Sequence, residues 1–364
     1  MSRLVKLRVH RIRLPLVRPF VTAVRRVDRV DVVLVEATDS DGRSGWGEAP
    51  TSWRVTGESP ESVTAAVVGP LSQSLDAARL DDITELASRV KKSVVGNASA
   101  RSAVECAVYD LNAQSAGLSL ARSLGAAVDS TRVATDMTLS VGTVAEVLSS
   151  ARSHVANGFD CIKLKAASSE EALKSLVALR AEFGPKFRLR IDANQAWQPD
   201  EAIRVIHSIE DAGLGPELVE QPVGAHDLAG LARVTAAVNV PILADESVWT
   251  SRDLHEVIRL RAADSINIKL AKTGGLSEAL ILATAARAAD MDVIVGCMME
   301  STVGGAAAAS LAATIRPDAT HDFDSGLWMC EPSVVGGLRY EKNSAVLASG
   351  AGLGISGLTS RSDE

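Results

Sequence analysis

Two lysines lie one residue apart in the otherwise apolar stretch Cys161-Ile162-Lys163-Leu164-Lys165. Successive side chains of a strand point to opposite faces, so the pattern predicts a strand on which Lys163 and Lys165 share one face. Two ammonium groups crowded into a partly desolvated space disfavour the charged form, and a lysine of lowered pKa can act as a base. The alternative interpretation is an edge strand whose lysines protect against aggregation.

Three acidic residues, Asp192, Glu220 and Asp245, each follow a short apolar run further along the chain. Taken singly, each also suits a helix N-cap or a surface position. Three carboxylates that converge cannot all stay ionised without a cation. A ligand set made only of oxygen atoms selects a hard ion, so we predict Mg²⁺ as cofactor, with Mn²⁺ as the alternative.

A further lysine, Lys269, ends the apolar run 265–270. In a closed barrel Lys165 and Lys269 would flank the three acids from opposite sides. This arrangement predicts removal of a proton next to a carboxylate, in which the cation stabilises an enediolate, one lysine takes the proton and the other returns one. Lys272 is the competing choice, and we interpret it as a loop residue because a Gly-Gly pair follows it closely.

The elements that position these residues are predicted by their spacing. Beyond Thr131, short apolar runs that end in polar residues alternate with helical stretches, and the ends recur every 24 to 28 residues. This interval fits one strand, one helix and two loops, and eight such units predict a TIM-type barrel with its site at the carboxyl ends of the strands. A doubly wound sheet is the alternative, but no GxGxxG opening supports it. The predicted strand ends are Thr138, Lys163 to Lys165, Asp192, Glu220, Asp245, Lys269, Cys297 and Asp322.

The first part of the chain has a different pattern. Strands are predicted at 3–14 and 30–37 and around Trp46, with Pro15 and Pro19 in a connection, and helices follow from about residue 60 to 116. After residue 330 the chain contains a short strand-like stretch rather than another βα unit. We therefore predict an α+β domain at 1–127, a barrel at 128–330 and a segment at 331–364 that returns to the first domain.

The composition limits the class of protein. The chain has 364 residues, 46% hydrophobic and 23% charged, with a net charge of −7 and a pI near 5.5. These values predict a globular protein with no nucleic-acid or membrane partner. The arginine-rich start alternates apolar and polar residues as a strand does, and no apolar run reaches about 18 residues. Four cysteines without a CxxC pair indicate reduced thiols, so we expect a cytoplasmic protein.

Five motifs together resemble the enolase superfamily in its muconate-lactonizing-enzyme subgroup. They are KLK at 163–165, DAN at 192–194, VEQP at 219–222, ADES at 244–247 and NIKL at 267–270. WGEAP at 46–50 and GLGI at 352–355 extend the resemblance over the chain. The resemblance implies a modified (β/α)₇β barrel with an α+β capping domain formed from the N-terminal region and the C-terminal tail.

The same resemblance implies roles for individual residues. Asp192, Glu220 and Asp245 would be Mg²⁺ ligands. Lys165 and Lys269 would be the acid/base pair, and Lys163 would hold and polarise the substrate carboxylate. The family carries out racemisation, cycloisomerisation and dehydration, so the substrate must be inferred from other residues.

Residues outside these motifs bear on the substrate. Asp322 and Asp324 are predicted to share a strand face and to offer two carboxylates to an ammonium group. Their DxD pattern resembles that of the dipeptide epimerases, where it binds the α-ammonium group of the peptide. Arg25 resembles the arginine that L-Ala-D/L-Glu epimerases use on the glutamate side chain, with Arg26 as the competing choice. The residues further expected to line the pocket are Thr138, Met298 and Met299.

The resulting expectation is a Mg²⁺-dependent isomerase that epimerises a dipeptide, L-Ala-D/L-Glu, in murein peptide metabolism. Its mechanism would be two-base 1,1-proton transfer through a metal-stabilised enediolate. The alternatives are an N-acylamino acid racemase or o-succinylbenzoate synthase relative, an epimerase for hydrophobic or cationic dipeptides, and a metal-binding barrel without activity. We expect a homo-oligomer whose partner is a small dipeptide.

Overall fold

The computed structural model describes residues 2–22, 26–127 and 131–359. The chain begins with an antiparallel sheet ordered β1 (Leu4–Val21), β2 (Arg26–Asp39), β3 (Ser44–Pro50). The prediction that Pro15 and Pro19 form a connection is wrong, because β1 continues through both. β1 lies at the edge of the sheet, where proline's missing N–H need not break the ladder, and the register shifts between Pro15 and Phe20.

Helices follow the sheet, and the longest of them packs closely on β3. A Cβ atom added at Gly47 would lie 2.0 Å from the carbonyl oxygen of Ala103, and one at Gly45 would lie 2.3 Å from that of Ala107. Only glycine therefore fits on either side of Trp46. The helices are α1 (Pro60–Ala66), α2 (Ser72–Ser74), α3 (Ile83–Ser93), α4 (Ala98–Ser115) and α5 (Leu120–Ser123), with a π-helical turn, Val67–Leu71, between the first two.

A parallel barrel follows. Its first half contains β4 (Arg132–Thr135), β5 (Met137–Leu139), α6 (Val144–Ala156), β6 (Cys161–Lys165), α7 (Ser169–Phe183), β7 (Arg188–Asp192) and α8 (Pro199–Asp211). Its second half contains β8 (Val219–Glu220), α9 (Leu228–Ala237), β9 (Ile242–Ala244), α10 (Ser251–Leu260), β10 (Ser265–Lys269), α11 (Leu270–Thr273), α12 (Leu276–Ala288), β11 (Asp292–Gly296), α13 (Thr302–Ile315) and β12 (Thr320–His321).

The strand order confirms the predicted fold class, a modified TIM barrel. Strands β5 to β11 form one sheet in sequence order, in which each strand is parallel to its neighbours. A parallel bridge from Gly296 to Asp322 brings β12 beside β11, and β12 also pairs with β4. Every predicted strand end lies in a strand or one residue beyond it. The polar ends of the strands therefore face one mouth of the barrel.

The last part of the chain contacts both the barrel and the first helices. The hairpin of β14 (Arg339–Glu341) and β15 (Ser344–Val346) extends the sheet beside β4, while β13 (Val334–Gly336) pairs with β16 (Ile355–Leu358). The backbone N–H of Leu353 donates to Asp110 of α4 at 2.7 Å. Among the described residues, no helix has the length and apolarity needed to cross a membrane.

Buried acids of the first unit hold the N-termini of barrel helices. The Glu48 carboxylate accepts from the N–H groups of Ser301 and Gly304, at 2.7 and 2.8 Å, at the start of α13. Glu105 of α4 accepts from the N–H of Ser277, at 2.7 Å, at the start of α12. Because helix N-termini carry positive partial charge, these contacts fix the first unit over the mouth of the barrel.

Candidate active site

The two lysines of β6 share one face, as their spacing predicts. Lys163 Nζ lies 3.0 Å and Lys165 Nζ 2.6 Å from the same atom, Asp192 Oδ2. β6 lies between β5 and β7, which excludes the edge-strand interpretation. The lysines therefore point into the barrel mouth together.

The ammonium group of Lys163 is surrounded by acids as well as by the second lysine. Burial acts to lower the pKa of Lys163, but the carboxylates of Asp322 and Glu220, at 2.8 and 2.7 Å, raise it well above its usual value. For Lys269 burial is likewise outweighed, chiefly by Asp245, and the pKa rises. Local spacing shows only the neighbouring ammonium groups, whereas the folded site pairs them with acids that are distant in sequence.

The three predicted metal ligands come from consecutive strand ends, Asp192 on β7, Glu220 on β8 and Asp245 just beyond β9. Lysine ammonium groups lie between them, since Lys163 contacts the first two and Lys269 Nζ lies 2.8 Å from Asp245 Oδ2. Within the described ranges, no three Asp, Glu, His or Cys side chains are grouped in the way that metal ligands are.

The donor chemistry nevertheless fits a hard divalent cation. The candidate ligands offer only oxygen, and burial together with neighbouring Asp192 raises the pKa of Glu220, which marks a shortage of positive charge. Two further buried oxygens beside them, Asn194 Oδ1 and Glu246 Oε2, have no hydrogen-bond partner. A cation at this mouth would neutralise the excess acid.

One cavity joins the strand ends to loops of the first unit. Lys165 and Lys269 both line it, from β6 and β10, whereas the buried Lys163 and Lys272 do not. This difference separates the lysines that a bound molecule can touch from those held inside the protein. The cavity is lined by Phe20, Thr22, Val55, Thr138, Lys165, Asn194, Asp245, Glu246, Lys269, Cys297, Met298, Met299, Asp322, Asp324 and Ser325.

Asp322 and Asp324 both reach this cavity, but not from one strand face as predicted. β12 ends at His321, and Asp324 begins a 3₁₀-helix, Asp324–Trp328. The chain therefore turns between the two acids, and the alternation argument does not apply. Their surroundings also differ, because Asp322 accepts from Lys163 at 2.8 Å, whereas Asp324 has no cation within ion-pair distance among the described residues.

Asp324 is held in place by neutral donors. The backbone N–H of Thr138 and the indole N–H of Trp328 donate to Asp324 Oδ2, at 2.8 and 3.1 Å. Phe20 packs edge-on against Trp328, and the Arg18 guanidinium lies 4.6 Å from the centre of its ring. Burial and Asp322 raise the pKa of Asp324. A cationic group of a ligand is the partner that this carboxylate lacks.

The remaining predicted contacts are placed as follows. Thr138 lines the cavity and holds Asp324 through its backbone, while Met298 and Met299 lie side by side on its wall. Arg25 falls outside the described residues. Arg26 begins β2 and is exposed.

Three residues besides the candidate ligands and the acid/base pair complete the site. Gln221 is buried and accepts through Oε1 from the N–H groups of Asp245 and Ser247, at 2.9 and 3.2 Å, so it ties two strand ends together. Glu246 lies on the cavity wall. The prediction that Lys272 is a loop residue is wrong, because Lys272 is buried and belongs to α11. Residues three apart share one face of a helix, so a helical turn after Lys269 would place Lys269 and Lys272 on the same side.

Two family models match the chain. The mandelate racemase / muconate lactonizing enzyme N-terminal domain matches residues 5–125, and the enolase C-terminal domain-like model matches residues 146–358. The L-Ala-D/L-Glu epimerase of Bacillus subtilis is 40% identical over 357 residues, which cover 98% of this chain and 97% of the relative. A substrate-liganded structure of the B. subtilis epimerase superposes with a TM-score of 0.95 at 39% identity, covering 98% and 99% of the two chains.

Other relatives act on different dipeptides. A dipeptide epimerase from Cytophaga hutchinsonii, solved with Mg and D-Ala-L-Val, superposes with a TM-score of 0.93 at 30% identity, covering 99% of this chain and 97% of that one. The hydrophobic dipeptide epimerase of Enterococcus faecalis is 34% identical over 93% of this chain and 95% of its own. With both domain models matched and relatives that align along nearly its whole length, the chain belongs to the enolase superfamily, in the mandelate racemase and muconate lactonizing enzyme group.

Proposed function

We propose that this enzyme is a Mg²⁺-dependent dipeptide epimerase that interconverts L-Ala-L-Glu and L-Ala-D-Glu. The observation that carries the proposal is the cavity wall, where Lys165 and Lys269 stand on strands separated by the three acid-bearing strands. Inverting a stereocentre requires one group to remove a proton from one face and another to supply one to the opposite face.

The proposed roles follow from position. Asp192, Glu220 and Asp245 would hold Mg²⁺, which supplies positive charge to the substrate carboxylate as the α-proton leaves. Lys165 and Lys269 are the proposed acid and base, one for each face of the α-carbon. Lys163, buried among acids below them, is the proposed electrostatic support for the substrate carboxylate.

A lysine acts as a base only in its neutral form. The carboxylates that contact Lys269 stabilise its charged form, and Asp245 is the closest of them. A divalent cation held by these carboxylates would compete with the ammonium group for their negative charge and so would favour loss of its proton. Metal binding and activation of the base are therefore coupled in the proposal.

The amino end of the dipeptide is assigned to Asp322 and Asp324. Asp324 faces the cavity without an ion-pair partner among the described residues, and a free α-ammonium group supplies the missing positive charge. An N-acylated amino acid has no such charge and would leave Asp324 buried and unpaired. This difference favours a free dipeptide over the substrate of an N-acylamino acid racemase.

The acidic side chain of the dipeptide is assigned to Arg25. Thr22, the last described residue before Arg25, lines the cavity, so Arg25 lies three residues along the chain from the site. Arg25 remains our proposed partner for the glutamate carboxylate. An epimerase for hydrophobic dipeptides, the activity of one relative, is the alternative. Mn²⁺ remains the alternative cation.

The proposed biological setting is murein peptide metabolism in the cytoplasm. The proposed substrate, L-Ala-D/L-Glu, is the reason for the murein assignment. The free, buried cysteines at 106, 161 and 297 agree with a reducing compartment. Assembly into a homo-oligomer remains a prediction.

The proposal is tested by chiral chromatography of L-Ala-L-Glu after incubation with the enzyme and Mg²⁺, beside N-acetyl-L-Ala-L-Glu at equal concentration. We expect L-Ala-D-Glu to form and the acetylated dipeptide to remain unchanged. Turnover of the acetylated compound alone would favour an N-acylamino acid racemase. Failure of both, with conversion of L-Ala-L-Leu instead, would move the assignment to hydrophobic dipeptides.

A further inference from the structure

Lys272 is a buried lysine beside the site, and its ammonium group contacts three oxygen atoms of the protein. Its ammonium nitrogen lies 2.6 Å from Asp245 Oδ1, donates to the carbonyl oxygen of Asn267 at 2.9 Å and also donates to that of Asp245. It is 1% exposed and does not line the cavity. A bound dipeptide therefore cannot reach it, and its effect must pass through Asp245.

The local fold directs Lys272 to this position. β10 ends at Lys269 and continues without a loop into the single turn α11, so Lys272 lies one turn beyond the strand end. The turn ends at Gly274, whose φ of +78° belongs to the left-handed region that favours glycine. The buried side chain is thus built into the barrel rather than adjusted from the surface.

The two carboxylate oxygens of Asp245 contact different lysines. The Lys272 ammonium nitrogen lies 2.6 Å from Oδ1, within ion-pair distance. Oδ2 points the other way, with Lys269 Nζ at 2.8 Å on the cavity wall. The Asp245 backbone is fixed as well, because its N–H donates to Gln221 Oε1 at 2.9 Å. The carboxylate therefore has one oxygen facing inward and one facing the mouth.

We propose that Lys272 is a positioning residue that holds Asp245 so that it presents a single oxygen, Oδ2, to a divalent cation. The inference rests on the proposed function, in which Asp245 is a metal ligand. A carboxylate free to rotate could chelate a cation with both oxygens, which suits the larger Ca²⁺ better than Mg²⁺. Lys272 thus makes Asp245 a fixed ligand with one donor atom.

Calorimetric titration of the full chain with MgCl₂, without dipeptide, tests this role. Lys272→Gln removes the charge but keeps two N–H donors on a side chain one atom shorter, and Lys272→Met removes both the charge and the donors. We expect each to weaken Mg²⁺ binding by about 10- to 100-fold, the usual effect of removing a group that orients a metal ligand. Lys272→Arg, which restores the charge, should recover much of the affinity, and Lys174→Met controls for loss of a positive charge at an exposed site.

Two further readouts separate positioning from other roles. Thermal unfolding in EDTA shows which variants fold, so a purely structural role would lower Tm without changing the Mg²⁺ affinity of the folded protein. Dipeptide turnover of Lys272→Gln should rise toward that of the unchanged enzyme as Mg²⁺ is increased. A folded Gln or Met variant with unchanged Mg²⁺ affinity would overturn the inference while leaving the proposed function intact. Absence of Mg²⁺ binding by the wild-type protein would overturn both the inference and the proposed function.

Discussion

Lys163 and Lys165 lie two residues apart on one face of β6, yet the barrel surrounds their ammonium groups differently. Lys163 contacts three carboxylates, from Asp192, Glu220 and Asp322, while Lys165 contacts one and lines the cavity. Lys269 also has three carboxylates within 4.0 Å, but it lines the cavity as Lys165 does, so access to the cavity rather than the number of neighbouring acids separates the proposed proton-transfer lysines from Lys163. Residue type and spacing alone do not distinguish these roles.

Loss of either cavity lysine should abolish epimerisation. Lys165→Met and Lys269→Met each remove one proton-transfer group, for which about 100- to 10,000-fold in rate is typical. Each variant should retain exchange of the α-proton with solvent from only one of L-Ala-L-Glu and L-Ala-D-Glu, and the two variants should differ in which one. Proton NMR in D₂O measures this. Substantial epimerisation by either variant would remove the two-base mechanism, and Lys174→Met is the control.

Asp324 should matter for the amino group of the substrate and little for the fold. Asp324→Asn keeps an oxygen that can accept from Thr138 and Trp328 but removes the negative charge. We expect kcat/KM for L-Ala-L-Glu to fall by about 10- to 100-fold, since hydrogen bonds to charged groups contribute about 1.5 to 3 kcal/mol. Steady-state kinetics beside exposed Asp318→Asn tests this. Equal kcat/KM in both variants would contradict the ammonium assignment.

At the residue scale, the sequence was most informative where a residue follows an apolar run. The apolar runs correctly predict that Asp192, Glu220 and Asp245 each end or immediately follow a strand, and their role as metal ligands stays a prediction. Lys272 was misread because the Gly-Gly pair after it indicated a loop, whereas a helical turn intervenes. The raised pKa of Lys163 depends on Asp322, 159 positions away in the sequence, which local spacing does not reveal.

At the scale of elements, the repeat of strand ends was enough to predict the barrel, because each βα unit has nearly constant length. The exceptions are irregular pieces. β1 continues through two prolines that a sequence reading takes as a break, and the 3₁₀-helix Asp324–Trp328 replaces a continued strand after β12. In both places tertiary contacts, such as those of Phe20 with Trp328, outweigh the local preference.

The contact between α4 and α12 should make stability depend on pH through Glu105. Burial raises the pKa of Glu105 to about 7. An acid with a raised folded pKa stabilises the fold while protonated, so this contribution is lost as pH rises from about 4.5 to 7. The stability of Glu105→Gln relative to the unchanged protein should therefore increase across that interval, by about 3 kcal/mol at 1.36 kcal/mol per pKa unit.

Urea denaturation at several pH values between 4 and 8 measures the difference in free energy of unfolding between Glu105→Gln and the wild-type protein. The contributions of the other titrating groups are the same in both proteins and cancel in this difference. Glu171→Gln, at an exposed position of α7, controls for the loss of one carboxylate. A difference between Glu105→Gln and the unchanged protein that stays constant with pH would show that Glu105 keeps an ordinary affinity for protons in the fold.

At the scale of the whole molecule, the site belongs to neither unit alone. Phe20, Thr22 and Val55 of the first unit line the same cavity as the strand-end residues of the barrel. The acids Glu48 and Glu105 fix these units together at the mouth. The first unit therefore closes the site above the barrel, and changes in its loops are expected to alter which dipeptide is accepted without altering the proton transfer.

Mg²⁺ should stabilise the whole fold. The candidate ligands lie on three strands, so a cation that binds them links those strands only in the native state. Free Mg²⁺ at about 100-fold above Kd should add about 2.7 kcal/mol to the free energy of unfolding and raise Tm. Thermal unfolding with Mg²⁺ and with EDTA measures this, and Asp245→Asn should reduce the shift. An identical Tm in both conditions would argue against a metal at this mouth.

The most direct test of the central claim is deuterium incorporation at the α-carbon of the C-terminal residue of L-Ala-L-Glu, followed by proton NMR in D₂O with Mg²⁺. We expect loss of the glutamate α-proton signal, no exchange at the alanine α-carbon and no exchange in EDTA. Retention of the glutamate α-proton across a panel of free dipeptides, with the enzyme folded and Mg²⁺ bound, would contradict it.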